Sequence, residues 1–173
     1  MNFAEIKKCD IANGPGVRVS LFVSGCTHRC PGCFNEIAWD FAYGKPFTED
    51  TQQELLTALE PSYIRGLTLL GGEPLERVNQ QGLLPFLKKV KQTCPDKDIW
   101  CYTGYDFERD VQGKMLKEWE ETGEFLSMID VLVDGRFEEK EKDISLRFRG
   151  SRNQRLIDLK QTFRKGEIIL WDE

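Results

Sequence analysis

The chain has 173 residues, of which 40% are hydrophobic, and its formal net charge is −5 at pH 7. This length provides one hydrophobic core, so we predict a single domain over residues 1–173. The chain lacks the overall basic charge that phosphate backbones attract, and no apolar run reaches the length of a membrane span. We therefore expect no nucleic acid and no membrane among its partners. The N-terminal residues lack the apolar segment of a secretory signal, so a cytoplasmic location is expected.

The first predicted element is a strand, because apolar residues alternate with other residues over Val17–Val23. It leads through Gly25 towards a loop rich in cysteine. Further along the chain, segments with helical periodicity alternate with short apolar runs that are typical of buried strands. In chain order these are a helix over Glu49–Leu59 with Thr48 as N-cap, a strand over residues 66–70, a helix over 83–90, a strand over 99–102, a helix over 114–121 and a strand over 129–133.

Strands that alternate with helices predict an α/β fold with parallel strands, outer helices and right-handed crossovers. Four such strands cannot close an eight-stranded barrel, so we expect an open, partial β/α barrel or a curved sheet. Each predicted strand is followed directly by an unusual loop, namely CTHRCPGC, GGEP, TGY or DGR. Since the carboxyl ends of parallel strands share one edge of a sheet, these loops are expected to build the active site together.

Three of the six cysteines, Cys26, Cys30 and Cys33, form a Cys-x-x-x-Cys-x-x-Cys cluster. Without a secretory signal, clustered cysteines favour a metal site over a disulfide framework. A four-iron cluster takes four ligands, so three thiolates leave one iron free for another molecule, which we interpret as a substrate. Zinc completed by His28, the only histidine, is the alternative, although its place between two cysteines disfavours a shared tetrahedron. The isolated cysteines are predicted to be plain thiols: Cys9, Cys94 and Cys101.

Two glycines, Gly71 and Gly72, directly follow the strand predicted over residues 66–70. Such a pair is often an ordinary turn, but at the predicted site edge it lets the backbone come close to a ligand. Glu73 and the neighbouring carbonyl groups offer acceptors that suit an ammonium group. Residues 13–16, before the first strand, are interpreted equally well as a plain turn or as a functional segment.

A C-terminal stretch, SLRFRGSRNQRLIDLK, carries five positive charges and one negative charge. This pattern is typical of a solvated face, and alternatively of a docking patch for an anion or an acidic protein. The positive residues are Arg147, Arg149, Arg152, Arg155 and Lys160.

The segment GPGVR, followed by Phe22, Gly25, the three cysteines and Asn35, resembles the signature of the radical S-adenosylmethionine enzymes that install glycyl radicals. Within this family the chain is most similar, over nearly its whole length, to the activases of anaerobic ribonucleoside-triphosphate reductases. That similarity is carried by CPGCFN, GGEPL, WCYTGY, DVLVDGRF and RFRGSRNQRLID. Many members of the wider superfamily have an aromatic residue just before the third cysteine, whereas this chain has Gly32 there and Phe34 just after.

The resemblance implies a partial β/α barrel of the radical S-adenosylmethionine type, with a 4Fe-4S cluster on Cys26, Cys30 and Cys33 and S-adenosyl-L-methionine on the remaining iron. It implies an oxidoreductase whose reduced cluster cleaves S-adenosyl-L-methionine, so that a 5′-deoxyadenosyl radical abstracts hydrogen from a glycine Cα of anaerobic ribonucleoside-triphosphate reductase. Reduced flavodoxin or a similar carrier is implied as electron donor, and no catalytic side chain beyond the cofactor is required. The residues implied to border the cofactor are Gly32, Cys33, Phe34, Gly71, Gly72, Glu73, Thr103, Asp134 and Arg136.

Two other functions are compatible with these residues. One is a radical S-adenosylmethionine enzyme that acts on a small molecule, such as a carboxy-deazaguanine synthase, and needs no protein substrate. The other is a zinc-binding interaction module, whose metal would be colourless and redox-silent. Iron content and the presence or absence of a protein substrate separate these possibilities.

Overall fold

The computed structural model describes all residues from Met1 to Glu173. Its centre is a seven-stranded sheet with the strand order β3-β1-β2-β4-β5-β6-β7. The two outer strands, β3 and β7, do not pair with each other, so the sheet is open. The strands are β1 (Asn2–Asp10), β2 (Val17–Val23), β3 (Lys45–Pro46), β4 (Ile64–Gly71), β5 (Asp98–Tyr102), β6 (Val131–Asp134) and β7 (Arg155–Asp158).

The helices follow the strands along the chain, and none is both long and apolar enough to cross a lipid bilayer. A π-helix over Phe107–Met115 continues directly into a short α-helix, and two 3₁₀ turns lie at Glu36–Trp39 and Glu139–Glu141. The α-helices are α1 (Glu49–Leu59), α2 (Arg77–Thr93), α3 (Leu116–Glu118), α4 (Glu120–Ser127) and α5 (Leu159–Lys165).

The predicted α/β class is confirmed, because β2, β4, β5 and β6 pair in parallel in the centre of the sheet. The expectation of a wholly parallel sheet is wrong, since β1, β3 and β7 join it in antiparallel orientation. These three strands gave no clear signal. β1 has four charged residues among its nine and no regular apolar alternation, and β3 and β7 have only two and four residues.

Element boundaries were predicted best where the apolar periodicity is complete. Helix α1 has the predicted bounds, and the Thr48 side chain accepts a hydrogen bond from the Thr51 N–H as its N-cap. Helix α2 is longer than predicted because its first turns bury the polar side chains Asn79 and Gln80. Residues 114–121 are helical as predicted except at Trp119, where an extended residue separates α3 from α4; the predicted single helix is thus the end of the π-helix, α3 and the start of α4.

The main core lies between the sheet and the helices and contains 27 buried residues. Leu55 of α1, Phe86 of α2 and Phe125 of α4 pack there with Leu69 and Ile99 of the sheet. Successive residues of a strand point to opposite faces of the sheet, so alternate strand residues form a separate cluster on the opposite face. That smaller cluster comprises Trp100, Val131 and Val133, with Tyr102, Phe148, Leu156 and Trp171 packed against it.

The Arg18 guanidinium is wholly buried on the second face of the sheet. Its Nε donates to Thr68 Oγ1 at 2.7 Å, and its terminal nitrogens donate to the carbonyl groups of Pro15 and Leu67. Asp98 supplies the counter-charge at 2.5 Å. The turn at residues 13–16 therefore wraps around this side chain, which accounts structurally for the glycine, proline and arginine of GPGVR.

We expect Arg18→Met to lower the free energy of unfolding by about 3 kcal/mol, because it leaves the buried Pro15 and Leu67 carbonyl groups and the Thr68 hydroxyl without the Arg18 donors. Urea denaturation measures this loss. Arg65→Met is the matched control, because Arg65 contacts the same aspartate but its side chain is 58% exposed. The control should change stability by no more than about 0.5 kcal/mol, and equal losses in the two variants would contradict the assignment.

Candidate functional site

Loops from the four parallel strands meet at one edge of the sheet and enclose a cavity of about 350 Å³. β2 leads towards residues 26–33, termed the cysteine loop, and β4 ends in residues 71–74, termed the glycine turn. The loop after β5 contributes Thr103 and Gly104, and the loop after β6 contributes Gly135. The prediction that the four motifs share one edge is confirmed.

The three cysteines of the cysteine loop are free, partly buried thiols that line this cavity. Their Sγ atoms do not all lie within 4.8 Å of one another. Thiolates on a single tetrahedral zinc ion would be about 3.8 Å apart, given a Zn–S distance of about 2.3 Å. In an iron-sulfur cluster each thiolate binds a different iron, so the three sulfurs need not approach one another as closely as on one shared ion.

Burial and hydrogen bonding have opposite effects on the pKa of the Cys26 thiol. Burial raises the pKa of the Cys26 thiol to about 11, although backbone N–H groups of the cysteine loop directed at the sulfur lower it in part. Burial also raises the pKa of Cys30, and the positive charge of Arg136 partly offsets that rise. The Asn35 N–H donates to Cys33 Sγ at 3.4 Å. Burial therefore favours the protonated form of the Cys26 and Cys30 thiols, and metal binding at these two sulfurs would release protons.

Trp39 lines the same cavity as Cys26 and carries an unpaired donor. Its indole Nε1–H is buried and has no acceptor among the protein atoms. A buried donor without an acceptor is unfavourable by about 1–3 kcal/mol. Cluster sulfur atoms accept such hydrogen bonds, so the residues present fit a 4Fe-4S group by this donor as well as by their thiols.

The glycine turn lies directly against the base of the cysteine loop. The Gly72 N–H donates to the Val23 carbonyl at 2.7 Å, and the Glu73 N–H donates to the Gly25 carbonyl at 2.8 Å. A Cβ atom on Gly72 would lie 2.6 Å from the Gly25 oxygen. Glycine is therefore required here so that two loops can approach each other, in addition to the predicted approach to a ligand.

The Glu73 carboxylate is wholly buried behind the cavity wall rather than exposed to the cavity. Its Oε1 accepts from the Thr103 hydroxyl at 2.8 Å and from the Gly104 N–H at 2.7 Å, and it lies 2.9 Å from His28 Nε2. Its Oε2 accepts from the Leu75 N–H at 2.9 Å. The carboxylate thus joins protein groups, and the turn presents its two glycines to the cavity.

The other predicted cofactor residues divide into two groups. Cys33, Phe34, Gly71, Gly72 and Thr103 line the cavity. Gly32 does not line it, but lies beside Phe137 and Glu139 of the loop after β6. Asp134 and Arg136 are also outside it. Asp134 accepts hydrogen bonds from the buried Phe107 N–H and from Arg155, and Arg136 lies in an adjoining polar hollow.

Several residues that line the cavity were not predicted. Gly104 and Asn35 directly follow predicted site residues in the sequence, and this adjacency was the signal that could have identified them. Phe137 and Gln154, between β6 and β7, lie in the quoted segments DVLVDGRF and RFRGSRNQRLID, but the sequence did not single them out as site residues. The lining residues that sequence reasoning missed include Asn13, Trp39, Tyr102, Phe137 and Gln154.

The side chains of the basic C-terminal stretch have partners within the protein. Those of Arg147 and Arg152 nevertheless remain 63% and 57% exposed. Arg147 pairs with Glu173, Arg149 donates to the Gln154 carbonyl, Arg152 pairs with Glu141 and Asp143, Arg155 pairs with Glu108 and Asp134, and Lys160 donates to the Ser127 carbonyl.

A family model described as "4Fe-4S single cluster domain" matches residues 12–157. Curated relatives that match most of the chain are named anaerobic ribonucleoside-triphosphate reductase-activating proteins. The one from Pasteurella multocida is 47% identical over 156 residues, which is 89% of this chain and 95% of the relative. The one from Enterobacteria phage T4 is 45% identical over 90% and 93% of the two chains, and the one from Escherichia coli K12 is 40% identical over 89% and 96%.

We expect Cys30→Ser to lose most of its iron after anaerobic reconstitution, because two remaining thiolates cannot hold a cluster of about four irons. Iron and sulfide analysis, together with the absorption spectrum, measures the loss. Cys9→Ser is the control, since Cys9 is an exposed thiol that does not line the cavity. Full iron content in Cys30→Ser would show that the ligands lie elsewhere.

Proposed function

Since this chain belongs to the family of anaerobic ribonucleoside-triphosphate reductase-activating proteins and matches a 4Fe-4S domain over residues 12–157, we propose that it is the enzyme that activates such a reductase. The observation that carries this proposal is the grouping of three free cysteines at one cavity with loops from all four parallel strands. The similarity supports this activity and gives no support to a small-molecule enzyme such as a carboxy-deazaguanine synthase.

We further propose that Cys26, Cys30 and Cys33 hold the cluster and that S-adenosyl-L-methionine binds the iron they leave free. When bound in its reduced form, the cluster supplies one electron that splits the sulfonium compound into methionine and a 5′-deoxyadenosyl radical, which takes a hydrogen atom from a glycine Cα of the reductase. The protein is then a radical S-adenosylmethionine oxidoreductase. The three-thiolate donor set and the cavity beside it support this assignment.

The residues around the cavity have the roles of binding, orientation and exclusion of water. The main-chain carbonyl groups of Gly71 and Gly72 are acceptors for the methionyl ammonium group at the cavity wall. The rings of Phe34 and Phe137 stand 5.3 Å apart at the cavity and provide apolar surface for an adenine ring. Apolar surface at the cavity helps to keep water from a reactive intermediate and so limits side reactions.

The remaining expectations complete this proposal. Reduced flavodoxin or a similar carrier donates the electron, and no nucleic acid takes part. Residues 1–173 act as one domain in the cytoplasm. The four adjacent parallel strands, with their site at the carboxyl ends, support a partial barrel of the radical S-adenosylmethionine type, although the observed sheet is mixed and open.

The deciding experiment incubates the reduced, reconstituted protein with S-adenosyl-L-methionine, with and without purified reductase. We expect a glycyl-radical signal on the reductase by electron paramagnetic resonance, together with 5′-deoxyadenosine, for the wild type and for Cys9→Ala. Cys30→Ala should produce neither, because it cannot hold the cluster. Rapid cleavage without the reductase, and no radical on it, would instead favour a small-molecule substrate.

A further inference from the structure

We propose that His28 and Glu73 are a positioning pair that fixes the cysteine loop against the glycine turn and thereby sets the affinity of the cavity for its sulfonium cofactor. The proposal rests on the proposed function and concerns side chains that do not themselves ligate iron. It also assigns Glu73 a role different from that of a direct ligand for the ammonium group.

The pair is closed off from solvent. The side chains of His28 and Glu73 are 4% and 1% exposed, and His28 Nε2 lies 2.9 Å from Glu73 Oε1. A carboxylate only accepts hydrogen bonds, so the histidine proton of this contact is on Nε2. An ionised carboxylate has about four acceptor sites. The donors from His28, Leu75, Thr103 and Gly104 match that number, and Glu73 does not line the cavity.

A second carboxylate holds the neighbouring residue of the cysteine loop. Glu76 Oε1 accepts from the Thr27 N–H at 2.9 Å and from the Thr27 hydroxyl at 2.6 Å. Both residues that follow Cys26 are therefore attached to acids of the segment directly after β4. The half of the cysteine loop between the first two cysteines cannot move relative to the glycine turn without breaking these hydrogen bonds.

The imidazole ring also fits a closely shaped space in the loop after β5. It packs edge-to-face against Tyr105 with ring centroids 4.3 Å apart. On its other side, a Cβ atom on Gly104 would lie 2.7 Å from His28 Cδ2. The glycine of the TGY motif is thus needed to admit the histidine ring. Three loops therefore meet at the Glu73 carboxylate, and the cysteine loop contacts it through His28.

This arrangement matters for binding because the proposed cofactor contacts two of these loops at once. It would be held through iron at the cysteine loop and through carbonyl groups at the glycine turn. Groups that bind one ligand must keep their relative positions, and small displacements of the supporting residues weaken binding steeply. His28 and Glu73 therefore act through the spacing of the two loops.

The test compares His28→Leu, which loses the donor, with His28→Gln, whose amide N–H offers a donor of similar reach. All three cysteines remain in both variants, so iron content should equal that of the wild type. The dissociation constant for S-adenosyl-L-methionine, titrated by its effect on the spectrum of the reduced cluster, should rise about tenfold or more in His28→Leu. It should stay within about threefold in His28→Gln.

Gly104→Ala is an independent variant that leaves the histidine in place but pushes its ring away. It should weaken cofactor binding as His28→Leu does, and it supplies the comparison if His28→Leu takes up little iron. Thr162→Val is the matched control. It removes a buried hydrogen bond to the Ile169 N–H near the C-terminus, so it should lower stability and leave cofactor affinity unchanged.

The proposal is overturned if His28→Leu and Gly104→Ala load iron normally and bind S-adenosyl-L-methionine as tightly as the wild type. Lower thermal stability with unchanged affinity would also overturn it, because the pair would then be structural only. Failure of the wild-type protein to bind the cofactor at all is a different result. That result would contradict the proposed function itself.

Discussion

The site depends on the burial of one carboxylate, that of Glu73. A carboxylate removed from water is unfavourable unless hydrogen-bond donors surround it. Here the donors come from the cysteine loop, from Leu75 directly after the glycine turn and from the loop after β5. Because donors from these separate segments must reach the same two oxygens, satisfying Glu73 fixes the segments relative to one another.

The sequence predicted the centre of the fold because hydrophobic periodicity reports burial. β2, β4, β5 and β6 are continuous or alternating apolar segments and were found near their true bounds. β1 was missed because four of its nine residues are charged and its pairing with β2 is irregular, so it shows no alternating apolar pattern. The π-helix over Phe107–Met115 was missed because local periodicity does not distinguish it from other helical turns.

The sequence predicted those parts of the candidate site that are formed by residues close together in one motif. The three cysteines and the two glycines of the glycine turn lie at the cavity as expected. Partners far apart along the chain were not predictable. Asp134 is paired with Arg155, and Glu73 is bonded to His28 from another loop. In both cases the same carboxylate could have faced a ligand, and only the folded arrangement decides which donors reach it.

The open sheet has two margins at which the backbone of another chain can pair. Edge strands with free backbone groups are templates for pairing with other chains. β3 has only two residues, and one of them, Pro46, has no N–H to donate. At the opposite edge, the C-terminal segment covers β7, where the Trp171 N–H donates to the Leu156 carbonyl and the Asp158 N–H donates to the Ile169 carbonyl. Beside β3, only Asn2 and Phe3 of β1 are paired, and the exposed lysines Lys7 and Lys8 disfavour pairing of another chain with the rest of that strand.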